Sequence, residues 1–262
     1  MNRFTMINLA GKTALVTGGS GDIGRAICRR LAECGATVAF SYFSDHEGAE
    51  KTAAELSALS AAPQVLRVNL GEDKSRTAFI AQCQSTLPRI DLLVSNAASG
   101  VFRDSTALSA RHFQWTMDVN ARSLLELVSG FTKPSEKHPP LLLPGSVIVA
   151  MSSLGATRAI PQYAALGASK AALESIARHL ALELGPTGIR VNVVSPGLVK
   201  TRALDHFPNK AHLLEVASSR TPLARLCTPD DVAAVVTFLC SQHAAMIHGQ
   251  TIHVDGGYSI VG

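Results

Sequence analysis

Seven short runs rich in β-branched and apolar residues, spaced by longer stretches of helical period, leave this chain few folds to adopt. The runs at residues 13–18, 37–42, 65–70, 91–96, 146–152, 189–194 and 251–254 are predicted strands. Helices are predicted over 23–34, 47–59, 74–86, 110–130, about 163–183, 204–219 and 229–241. A strand that is apolar along its whole length must be covered on both faces, as happens where helices pack on either side of a parallel sheet. The expected architecture is therefore α/β, a doubly wound Rossmann fold with a seven-stranded parallel sheet. No internal repeat or shift in composition divides the chain, so residues 1–262 are read as one nucleotide-binding domain. The Pro-rich stretch 134–144 leads into the fifth strand and is expected at the end of the sheet away from the strand C-termini.

The chain is 47% hydrophobic and 17% charged over 262 residues, enough to bury a large core. No apolar run reaches the ~18 residues of a membrane helix. Residues 1–10 lack the apolar centre of a signal peptide, so a cytoplasmic protein without a membrane partner is expected. Cys28, Cys34, Cys83, Cys227 and Cys240 are odd in number and form no Cys-x-x-Cys pair; they read as reduced thiols, not disulfides or a metal site. The net charge of +4 comes without any Lys/Arg-rich block, which argues against nucleic acid as a partner.

Ligand chemistry enters directly after the first strand, in Thr17-Gly18-Gly19-Ser20-Gly21-Asp22-Ile23-Gly24. Glycines there let the backbone approach a pyrophosphate, and the next helix offers unpaired N–H groups at the positive end of its dipole. Gly18, Ser20, Gly21, Ile23 and Gly24 are the candidate contacts. Asp22 is the anomaly: a carboxylate suits a helix start but repels a pyrophosphate, so it is expected to face away. At the end of the second strand, Ser41 stands where an acid would bind a ribose 2′-hydroxyl and repel a 2′-phosphate. With Arg25 as candidate counter-charge, this favours NADPH and leaves NADH open.

Proton chemistry is suggested by Tyr163 and Lys170, seven residues apart, with Ser152 and Ser153 closing the fifth strand. A phenol protonates an oxygen anion more readily when its own proton is easier to lose, and a neighbouring ammonium favours the phenolate. On one helix, seven residues are close to two turns, which would put both side chains on a shared face about 10 Å apart.

Together these motifs resemble the short-chain dehydrogenase/reductase family over essentially the whole chain, with Asp22 replacing a usual glycine. Asn96-Ala97-Ala98-Ser99-Gly100 is similar to the family segment that lines the cofactor site, and Asn120 to the helix asparagine that holds a water near the lysine. Ser195-Pro196-Gly197, Val199 and Thr201 resemble the stretch beside the nicotinamide, and residues 253–257 the closing strand. The resemblance implies catalytic roles for Tyr163, Lys170, Ser153 and Asn120. It also implies cofactor contacts from Asn69, Leu70, Asn96, Ala97, Lys170, Pro196, Gly197, Val199 and Thr201, and no metal. Ordinary members have the tyrosine four residues before the lysine. Here Ser153 and Lys170 keep the usual spacing of seventeen, Tyr163 lies three residues further upstream, and Leu166 takes the usual tyrosine position. That spacing, with residues 158–163, 246–251 and 206–209, resembles the type III enoyl-acyl-carrier-protein reductases.

The displacement has a chemical sense. A ketoreductase needs its acid next to the carbon that accepts hydride. An enoyl reductase delivers hydride to the β-carbon, so its acid must reach a thioester oxygen lying further away. The resemblance thus implies reduction of a 2-enoyl thioester by a homotetramer, with an acidic acyl carrier protein as the candidate carrier. A ketoreductase and a nucleotide-binding protein without catalysis remain as alternatives. A substrate lid is expected near 198–220. Its Lys200, Arg202, His206, Lys210 and His212 form either a face for an acidic carrier or a solvated helix. Ile160, Leu198, Leu204, Phe207 and Leu214 are candidates for an acyl slot, and Trp115 for the core or an interface. Ser153 has two open roles, assisting at the carbonyl or capping a strand end.

Overall fold

The computed structural model describes residues 7–59, 62–202, 204 and 210–261, without the side chains of 210–213. Its strands are β1 (Thr13–Val16), β2 (Thr37–Tyr42), β3 (Gln64–Arg67), β4 (Leu92–Ser95), β5 (Val147–Met151), β6 (Arg190–Pro196) and β7 (Thr251–Val254). They form one sheet in the order β3-β2-β1-β4-β5-β6-β7, every pair parallel. All seven predicted strands are present. The connecting helices are α1 (Asp22–Glu33), α2 (His46–Ser57), α3 (Asp73–Thr86), α4 (Ala110–Met117), α5 (Ser123–Thr132), α6 (Ala164–Leu184), α7 (Lys210–Arg220) and α8 (Pro229–Cys240).

The alternation of side chains along each strand sorts the core into two layers. Ala14 and Val16 of β1 pack with α1, α2 and α8 on one face. Leu15 between them packs with Leu124, Leu127 and Val128 of α5 and Leu173 and Ala177 of α6 on the other. Both faces are covered, which is why the strands read as continuous apolar runs. Strand order reverses between β1 and β4, so the crevice for a ligand opens at the C-terminal ends of these two strands.

The helix predicted over 110–130 is not continuous. Between α4 and α5, residues Asp118–Arg122 form a π-turn. Its wider winding inserts a residue, and Asn120 at its centre ties two neighbouring segments together, as described below. The helix expected over 204–219 is seen as α7, starting at Lys210. Residue 203 and residues 205–209, including the lid motif His206-Phe207-Pro208-Asn209, lie outside the described residues, as do the side chains of Lys210 and His212. The Pro-rich stretch lies where expected: the Ile90 amide, before β4, donates to the Leu141 carbonyl at 2.9 Å, while Leu141 and Leu142 enter the core. Among the described residues, no helix is long and apolar enough to cross a membrane. All five cysteines are free; four are buried.

Candidate active site

The phosphate turn is built by close approach of two strand ends. Gly18 has φ +68°, and a Cβ on it would lie 2.9 Å from the Cα of Ala97. Only glycine combines that backbone with that contact. Asn96 secures the junction: its amide side chain donates to the carbonyls of Thr17 (3.0 Å) and Gly18 (3.1 Å). The Thr17 hydroxyl in turn accepts from the backbone N–H groups of Asn96 and Ala97, both at 3.0 Å. Gly21 caps α1 without any side-chain hydrogen bond to the helix N–H groups. A glycine cradle below an uncapped helix start fits a dinucleotide pyrophosphate.

Asp22 is engaged by other groups, one of them far along the chain. Its Oδ2 accepts from the Arg202 backbone N–H at 2.8 Å, and its Oδ1 lies 3.4 Å from Arg25. The Arg202 guanidinium also donates to the Ser20 carbonyl (3.1 Å) and to Asp45 (2.9 Å). Asp45 itself caps α2 through the Gly48 N–H at 3.0 Å. Asp22, Arg25, Asp45 and Arg202 therefore form one charge cluster around the turn. Sequence reading gave Arg202 either a carrier-facing or a solvated role; no local signal joins it to Asp45, 157 positions away. Ser41 is a buried residue of β2 whose carbonyl accepts from Gly19 N–H at 2.8 Å, and its hydroxyl has no hydrogen-bond partner. Asn69 follows β3, its Oδ1 held by the Gly71 N–H at 3.0 Å, and the Leu70 carbonyl accepts from buried Arg76. Pro196 ends β6, Gly197 N–H donates to Val254, and Val199 is buried beside Cys227, with Thr201 following.

The candidate proton-transfer residues gather after the end of β5 and at the start of α6. Of the two serines, buried Ser152 is turned to Glu174 at 2.5 Å, leaving Ser153 to the site. The Tyr163 hydroxyl donates to Ser153 Oγ at 3.1 Å, and Ser153 Oγ also accepts from Gly155 N–H at 3.2 Å. A Cβ at Gly155 would collide with the Tyr163 ring, while Phe102 stacks on that ring at 6.1 Å between centroids. Tyr163 is not inside the helix, as the spacing argument assumed; it is the cap residue of α6. Lys170 lies within α6, only 4% exposed, and donates to the Met151 carbonyl at 2.8 Å. Asn120 accepts from the Ser99 N–H (2.8 Å) and donates to the Ser99 carbonyl (3.0 Å) and the Ser169 hydroxyl (2.9 Å), next to Lys170. Trp115 joins this loop by donating to the Ser99 hydroxyl at 3.2 Å, with its ring against Gly71. Ile160 and Leu198 are half-buried and Leu204 is buried; Phe207 is outside the described residues.

Burial dominates the electrostatics here. It lowers the Lys170 pKa to about 8 and raises that of Tyr163, against which the Ser153 hydrogen bond works in the lowering direction. The expected help from Lys170 in loosening the phenol proton is not among the causes acting on Tyr163; in this arrangement the lysine is engaged with Met151.

A family model described as enoyl-(acyl carrier protein) reductase matches residues 19–259. The chain belongs to the short-chain dehydrogenase/reductase superfamily. It is an oxidoreductase, and within the superfamily it resembles the enoyl-acyl-carrier-protein reductases. It is 34% identical over 252 residues to the 1-cyclohexenylcarbonyl-CoA reductase of Streptomyces collinus, covering 95% of this chain and 88% of that one. It is 33% identical to the NADH-dependent enoyl-[acyl-carrier-protein] reductase FabI of Salmonella typhimurium, covering 96% and 95%. Among solved structures, a short chain dehydrogenase of Burkholderia cenocepacia in complex with NADP is 34% identical and superposes with a TM-score of 0.84, covering 96% of this chain and 99% of that one. Nicotinamide nucleotides serve the Salmonella and Burkholderia relatives, and the glycine cradle of this chain fits one.

Proposed function

We propose that this short-chain reductase reduces the C2–C3 double bond of a 2-enoyl thioester with NADPH. The observation that carries the reading is the placement of Tyr163: it caps α6 seven residues before Lys170, hydrogen-bonded to Ser153, while Leu166 packs against Gly100. The position that holds the acid in ordinary members is thus apolar and 8% exposed, and the available phenol lies further out. The Streptomyces and Salmonella relatives, named as reductases of an enoyl thioester type, support the same chemistry.

Gly18, Ser20, Gly21, Ile23 and Gly24 would receive the pyrophosphate, with Asn69, Leu70, Asn96, Ala97, Pro196, Gly197, Val199 and Thr201 around the rest of the nucleotide. The bound nicotinamide supplies the hydride. Lys170 would hold the nicotinamide ribose and place its positive charge in the site. Tyr163 Oη would give its proton to the thioester enolate oxygen; the enol then takes up a proton from solvent at C2 and releases its O–H proton, which leaves the saturated thioester, and Ser153 would hold the Tyr163 hydroxyl in place. Asn120 fixes the Ser99 loop against α6 beside the lysine.

NADPH is favoured because Ser41, not an acid, stands near the end of β2. Asp45 is engaged by Arg202 and by the start of α2, and Arg25 and Arg202 stand near the turn. The carrier is read as acyl carrier protein or coenzyme A. Five free thiols suit a reducing cytoplasm, and exposed Leu125 and Leu182 on α5 and α6 suit a homotetramer.

The deciding experiment compares crotonyl and acetoacetyl thioesters with NADPH and identifies the products. A saturated acyl product is expected. Formation of 3-hydroxyacyl thioester alone would sink this reading in favour of a ketoreductase.

A further inference from the structure

Tyr163 enters its helix through an unusual turn. The Tyr163 N–H donates to the Ile160 carbonyl at 3.1 Å, closing Ile160-Pro161-Gln162-Tyr163 into a four-residue turn. Pro161 occupies the second position, and Gln162, in the third, has φ +60°. Proline followed by a left-handed residue is the pattern of a type II turn, whose third position takes glycine or asparagine because a Cβ is unfavourable there. Gln162 and Ala224 are the only non-glycine residues with positive φ among the described residues. Such a conformation persists only where surrounding contacts hold it. They do so here: the Arg103 N–H donates to the Gln162 carbonyl at 3.0 Å, Phe102 stacks on Tyr163, and Gly155 leaves room for the ring's other side.

We propose that Gln162 is a positioning residue: its left-handed backbone turns Tyr163 off the axis of α6 and onto Ser153. The helix alone cannot do this. A residue at the cap with extended or helical neighbours before it would send its ring elsewhere, away from the Ser153 hydroxyl. The loop carrying Phe102 and Arg103 is the other half of the clamp, so the strand-end loop after β4 and the turn before α6 together set the direction of the acid. The side chain of Gln162 has no part in this; its backbone does.

This proposal rests on Tyr163 being the acid, and its test keeps the two claims apart. Gln162→Gly and Gln162→Asn accept positive φ and are expected to keep the wild-type turnover number. Gln162→Val, β-branched, resists positive φ. It is expected to lose about 10²-fold in kcat, the scale of a misplacement near 1 Å, while its KM and direct affinity for NADPH stay unchanged. Crystal structures of the same variants should show Tyr163 Oη on Ser153 with glycine and displaced with valine. Phe102→Ala, which loosens the clamp without touching the turn, should give a smaller fall in kcat, again with NADPH affinity retained. Equal loss in the glycine and valine variants would overturn the proposal by giving the role to the side chain. A folded Gln162→Val protein with Tyr163 still on Ser153 would overturn it as well. If the wild type reduces no thioester at all, the reading of function fails, and the crystal structures still decide the role of the turn.

Discussion

Lys170 and Tyr163 are neighbours in function but are held by opposite means. Lys170 sits in the interior of α6, with helical hydrogen bonds on either side, a buried stem and an ammonium on the Met151 carbonyl. Its position follows from the helix and the sheet it covers. Tyr163 stands at the first residue outside that helix. Its place depends on a turn, a stacked ring, a missing Cβ at Gly155 and one hydrogen bond to Ser153. The fold itself fixes the residue proposed to meet the cofactor. Loops fix the residue proposed to meet the substrate oxygen. A superfamily that keeps its lysine and moves its tyrosine can change the reacting bond without rebuilding its sheet.

The comparison breaks most sharply at Tyr163. Tyr163→Phe keeps the ring and its packing and removes the proton, so turnover should fall about 10²–10³-fold while NADPH affinity, measured by titration, stays at the wild-type value. Unchanged turnover would show that the acid is elsewhere. Lys170→Ala should act on both sides of the comparison. Loss of a charge-assisted hydrogen bond to the ribose should weaken NADPH about 10- to 100-fold, with a fall in turnover besides. Ser153→Ala should cost less, about 5- to 10-fold in kcat, the worth of one neutral hydrogen bond that orients the phenol. A loss as large as that of Tyr163→Phe would mean that serine and tyrosine hold the enolate jointly.

A pH series sharpens the same contrast. Burial holds Lys170 at about 8 in the folded protein against 10.5 for the exposed group. NADPH affinity should therefore decline as pH rises past about 8, and should not in Lys170→Met. Stability runs the other way. Between those two values the unfolded chain binds the extra proton, so folding gains from this lysine as pH rises through the window, fully above it and not at all below about 8. Urea midpoints of the wild type and Lys170→Met, compared across that range, should converge with increasing pH.

Much of this was legible in the sequence because sheet burial is written locally. Continuous runs such as Leu92-Leu93-Val94 leave no other element to predict, and the glycines of the phosphate turn announce the crevice. What was not legible depends on distant partners. Nothing near residues 118–122 marks a π-turn, whose Asn120 is tied to the distant Ser99 and Ser169. Tyr163 read as helical because the period runs through it, although Pro161 two positions earlier breaks the backbone pattern. The direction given to Gln162 has no signal in its residue type. Asp22 looked hostile to a pyrophosphate only because Arg202, 180 residues later, was out of view.

That last cluster changes how the enzyme meets its cofactor from a distance. Asp22 and Asp45 carry two negative charges, Arg25 and Arg202 two positive ones, and together they leave the phosphate turn electrically balanced before anything binds. A highly charged nucleotide approaching from solvent finds little long-range pull there. The contacts proposed for the turn act at short range, through oriented backbone N–H groups. The clasp is therefore expected to keep the turn's share of the cofactor affinity tolerant of ionic strength, leaving the salt dependence to charges elsewhere in the site.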